Sequence, residues 1–118
     1  MDQLTVLIET KPDTIELISR AHDALVAERE RLLKETGLKE VSFLRGDLDF
    51  CRTTLRKPRK YPAIAILDAR TYADTEPRDS VLNAGVALVF NAPSANLESV
   101  EKLVAHIHDC VMGFLCQR

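Results

Sequence analysis

The sequence predicts a single α/β domain built on a mostly parallel sheet of four or five strands. Three observations predict it. Apolar runs of strand length alternate with segments of helical periodicity along the whole chain. The runs at 63–67 and 86–90 are continuously apolar, the pattern of strands buried on both faces rather than one. A chain of 118 residues has the length of one domain with a core of its own, so 1–118 is read as one unit.

Leu4-Thr5-Val6-Leu7-Ile8 is a short apolar run with β-branched bias, and it reads as the first strand, stopped by Pro12. Ile15, Ile18, Ala21, Leu25 and Leu32 then recur at mainly three- and four-residue steps, predicting one helix of about 23 residues. Asp13 followed by Glu16 marks its start and Gly37 its end. Glu40-Val41-Ser42-Phe43-Leu44 is the second strand. Asp47 or Asp49 caps a short helix containing Leu48, Cys51 and Leu55, which Pro58 ends.

Ala63-Ile64-Ala65-Ile66-Leu67 is the strongest strand, with Pro62 just before it. Residues 69–80 are polar and turn-rich. Val86-Ala87-Leu88-Val89-Phe90 is the fourth strand. Pro93 and Ser94 open a last helix with a regular stripe of Leu97, Val100, Val104, Ile107, Val111 and Phe114. Because that stripe runs unbroken to Phe114, Met112–Cys116 is read as helix rather than as a fifth strand.

Composition narrows the function classes. The chain carries 16 basic and 18 acidic side chains, a net charge of −2, with two Tyr, four Phe and no Trp. That balance argues against nucleic acid as a partner and against a base-stacking surface. No apolar run approaches the ~20 residues of a membrane span, and no export signal is evident. Cys51, Cys110 and Cys116 form no C-x-x-C pair and read as reduced thiols of a cytoplasmic protein. The glycines are too scattered for a phosphate-binding loop, and His106 with Cys110 matches no standard zinc spacing.

In an open parallel sheet, ligands and chemistry gather at the carboxyl ends of the strands. Glu9 follows the first strand and Asp68 the third. If those strands are neighbours, the two carboxylates approach each other and could hold a hard cation such as Mg²⁺. The ordinary alternative is a pair of solvated loop acids.

Val6-Leu7-Ile8-Glu9-Thr10-Lys11-Pro12-Asp13 resembles the opening of response-regulator receiver domains, where an apolar strand runs into two acids and then a proline. Tyr61-Pro62-Ala63-Ile64-Ala65-Ile66-Leu67-Asp68 resembles the third strand of that family, which ends in the phosphoacceptor aspartate. The resemblance covers about residues 4–70. It implies a flavodoxin-like three-layer sandwich, with Asp68 at the acceptor position and Glu9 as a metal-binding acid. Thr10 stands where the family has its second acid. The late strand ends in Asn91-Ala92-Pro93 without the family's lysine, so Asn91 takes either the Ser/Thr place or the lysine place. These departures imply a degenerate receiver whose phosphotransfer is lost and which acts by protein contact, without a catalytic role.

A second resemblance, from another class, competes. Leu82, Ala84, Val86, Leu88 and Phe90 alternate at period two, and paired with 63–72 across a turn they would form an antiparallel hairpin. That hairpin and a final helix are similar to phage tail-terminator proteins, which assemble as rings.

Two surfaces are candidates for partner contact. Val111, Phe114 and Leu115, with Met112, cluster near the C-terminal end of the last helix and predict a homodimer or partner interface. Arg52, Arg56, Lys57, Arg59 and Lys60 form a basic patch with no acid between them, suited to phosphate or an acidic surface, or simply a solvated helix end.

Overall fold

Four strands, β1 (Gln3–Glu9), β2 (Glu40–Gly46), β3 (Ala63–Asp68) and β4 (Leu88–Ala92), pair entirely in parallel in the order β2-β1-β3-β4. This computed structural model describes residues 2–58, 61–93 and 97–116. Helices α1 (Ile15–Ala27), α2 (Arg29–Thr36) and α6 (Val100–Cys116) cover one face of the sheet. Helices α3 (Leu48–Arg56), α4 (Ala69–Ala73) and α5 (Thr75–Asn83) complete the chain, α3 and α5 packing on the other face. The architecture is the flavodoxin-like three-layer sandwich.

The burial of the strands explains the layering. Leu4, Val6, Ile8, Ile64 and Ile66 point into the core under α1 and α6, beside Ile18, Ala21, Leu25, Leu103, Ile107 and Val111. Leu7, Ala63, Ala65 and Leu67 point the other way, against Cys51, Leu55 and Val81. Every residue of β3 is buried, which accounts for its continuous apolar run.

Several elements differ from the sequence reading. The long helix is broken: Glu28 (φ −96°, ψ 6°) ends α1 and begins α2, after which Gly37 (φ 76°) stops the chain in the left-handed region. No Gly or Pro marks Glu28, so the apolar stripe passes through the break unannounced. Residues 69–80 hold helices α4 and α5 rather than turns alone; with one buried residue each, their polar sequences hide them. Strand β4 lies two residues later than its apolar run suggests.

Residues 82–83 end α5, and β4 pairs parallel to β3 through Ile64–Leu88 to Asp68–Ala92. The antiparallel hairpin is therefore not formed. Helix α6 runs continuously to Cys116, with no fifth strand among the described residues. Val111 (0% exposed) and Phe114 (8%) are consumed by this chain's own core, correcting the expectation that they form an outward interface. Leu115 is partly buried and packs against the same core. The reason is geometric: α6 lies across α1 as well as the sheet, so it buries a wider stripe than a helix facing the sheet alone.

Candidate functional site

The central strands β1 and β3 lie side by side, so Glu9 and Asp68 emerge together at their carboxyl ends. Both are nearly inaccessible, at 2% and 4% exposure. Burial of two acids so close together requires partners for both.

Glu9 finds them in the main chain and the first turn of α4. Its Oε1 accepts the Asp68 amide N–H (2.9 Å), and its Oε2 accepts the Thr71 hydroxyl (2.7 Å). Lys11 Nζ stands 3.5 Å from the same Oε2. Glu9 therefore staples the β1 end to the β3–α4 junction, 59 residues away in sequence.

Asp68 caps α4. Its Oδ1 accepts the Arg70 amide N–H (2.9 Å), while Arg70 Nε and Nη2 donate to Oδ1 and Oδ2, each at 2.9 Å. The same guanidinium donates from Nη1 and Nη2 to the two oxygens of Asp13, again at 2.9 Å. Arg70 thus bridges one buried and one exposed carboxylate. Hydrogen bonds from Arg70 hold the Asp68 carboxyl below its ordinary range, outweighing the burial that pushes it up. The same side chain lowers Asp13. A shallow crevice of about 280 Å³, lined by Asp13, Thr14, Asp68, Arg70 and Leu97, opens beside this bridge.

This arrangement corrects the role expected of Asp13 and shows what the sequence reading missed. Helix α1 has no side-chain cap from Asp13; Thr14 is its N-cap residue, and the Thr14 hydroxyl instead accepts the Lys11 amide N–H (3.1 Å). Asp13 is turned towards Arg70. Arg70 and Thr71 lie two and three residues after Asp68, and that closeness of a cation and a hydroxyl to a strand-end acid was the available signal.

The residues present do not fit a Mg²⁺ ion. Both Glu9 oxygens and both Asp68 oxygens already accept hydrogen bonds from the protein. Thr10 supplies no carboxylate in the second acid's place, and its Oγ1 is buried without a partner. Among the described residues no group of three or more His, Cys, Asp or Glu is placed to hold a metal.

Asn91 lies in β4 beside Leu67, so β4 occupies the position next to β3. Its main-chain carbonyl accepts His106 Nε2 at 2.6 Å, and that nitrogen lies 3.6 Å from Cys110 Sγ. Asp47 caps α3 through the Phe50 N–H (2.8 Å). In the basic patch, Arg52 is paired with Asp49 and bonds Ser80 Oγ (3.2 Å); Arg56 and Lys57 are exposed. Arg59 and Lys60 lie outside the described residues. No helix among the described residues is long and apolar enough to cross a membrane. No protein-family model, curated protein or solved structure matches the chain.

Proposed function

We propose that this chain is a non-catalytic, receiver-like signalling or regulatory module of the cytoplasm that acts by protein contact. One observation carries the reading: the Arg70 guanidinium occupies both oxygens of Asp68, the strand-end acid at the acceptor position of the resemblance. An acceptor carboxylate attacks phosphorus with a free oxygen, while a cation neutralises the charge on the transferring group. Here the oxygen is engaged and the local cation is spent on two carboxylates of the chain itself. At this strand end the sandwich then offers a fixed surface in place of a free acceptor oxygen.

The test is incubation with Mg²⁺ and acetyl phosphate, followed by intact mass measurement. Unmodified protein is the expected result. Stoichiometric phosphorylation at Asp68, abolished by Asp68→Asn, would overturn the reading.

A further inference from the structure

The two edges of the sheet are finished differently. On β2 the parallel register turns the main-chain groups of Val41, Phe43 and Arg45 outward. The Val41 N–H is taken by the Glu40 carboxylate (3.0 Å), and the Phe43 carbonyl accepts His22 Nε2 (2.7 Å). Charged Glu40 and Arg45 stand on the strand itself. Charges and capped main-chain groups are how an edge strand resists pairing with another chain.

On β4 the register turns Val89 and Asn91 outward. His106 caps the Asn91 carbonyl. Among the described residues, the Val89 N–H, the Val89 carbonyl and the Asn91 N–H have no partner. The strand Leu88-Val89-Phe90-Asn91-Ala92 carries no charge, and only Ala92 is fully buried.

We propose that this edge is completed by a second copy of the chain, β4 pairing antiparallel with β4 about a two-fold axis at Val89. In an antiparallel ladder, an outward residue exchanges both its N–H and its carbonyl bond with the residue opposite. Val89 offers one donor and one acceptor together, and the same residue of a second copy matches both at once. Only a two-fold axis sets a residue opposite itself. The pairing also brings together two uncharged strands, with no like charges opposed. Docking β2 of one copy on β4 of another would set the capped groups of Val41 and Phe43 against the open ones, leaving them unmatched. The contact moves self-association from α6 to the sheet edge. It goes beyond the module reading and is independent of any chemistry at Asp68.

Sedimentation equilibrium of the full chain from about 10 μM to about 1 mM is the direct test. The expected result is a monomer–dimer equilibrium that Val89→Pro weakens about 30-fold or more, with native circular dichroism. Proline removes an outward N–H that no bond inside the chain uses, and edge strands tolerate it. A monomer throughout the range, or a dimer that Val89→Pro leaves intact, overturns the proposal. If Val89→Pro does not fold, hydrogen exchange of the wild-type chain decides. Exchange at the Val89 and Asn91 amides slowing about tenfold or more with rising concentration supports the pairing. Exchange independent of concentration refutes it.

Discussion

Arg70 grips Asp68 through Nε and Nη2 at 2.9 Å each while Nη1 and Nη2 donate to Asp13, 57 residues away in sequence. One exposed cation therefore ties the loop before α1 to the start of α4. Arg70→Ala leaves the Asp68 carboxylate buried without its charge partner. Because the guanidinium is 56% exposed and screened by water, the expected loss is a measurable drop in the urea midpoint, smaller than breaking a fully buried pair would give. Urea denaturation at neutral pH measures it.

The same contact sets a pH dependence. Asp68 is depressed in the folded state, so its stabilisation is complete above the ordinary aspartate pKa of about 3.9 and lost as pH falls through the lower folded value. Urea midpoints of the wild type should hold down to about pH 4 and fall below it. In Arg70→Ala the acid-side fall attributable to Asp68 should shrink. Equal slopes for the two proteins below pH 4 would show that Arg70 does not hold the carboxyl down.

Glu9 matters to the fold through what it bonds. Glu9→Ala strands the buried Asp68 N–H and the Thr71 hydroxyl and opens a cavity between β1 and α4, an expected loss of about 3 kcal/mol. Thr71→Val removes one of the two bonds at near-constant volume and should cost about 1–2 kcal/mol. Thermal and urea unfolding of both variants check the ranking.

The three thiols should separate cleanly. Burial pushes the Cys51 and Cys110 thiols up to about 12, so neither supplies thiolate near neutral pH, whereas Cys116 is exposed. A disulfide reagent at pH 8 should titrate one thiol per native chain and three in denaturant. Cys116→Ser should abolish the native reaction.

Phe114 distinguishes a core role from an interface role. Phe114→Ala is expected to cost about 3 kcal/mol of folding stability, because the ring lies within the monomer's core. A stable Phe114→Ala chain with altered self-association would restore the interface reading of α6.

Much of the fold was legible because it is written in apolar periodicity. The four strands, a cap for α3 at Asp47 or Asp49 and the stop at Gly37 follow from residue type and spacing, and the structure picks Asp47. The neighbouring of Glu9 and Asp68 followed from one topological assumption, that β1 and β3 are adjacent. Their partners were not legible. Arg70 reaches Asp13 only because α4 begins at once after β3, and no local pattern announces a five-residue helix. Val111 and Phe114 were misplaced because a stripe reports that residues are buried, and not whether the covering surface belongs to the same chain. The main-chain groups left open at Val89 have no signature in side-chain sequence at all.

The central position of β1 also has a kinetic side. It pairs with both β2 and β3, and its Glu9 waits for an amide 59 residues downstream. At synthesis rates of about 5–20 residues per second, this central strand leaves the ribosome roughly 3–12 s before its second neighbour exists. During that interval Leu4, Val6, Leu7 and Ile8 have no sandwich to enter. Ribosome-bound chains ending before residue 63 should therefore engage holdase chaperones, and chains extended past α6 should release them.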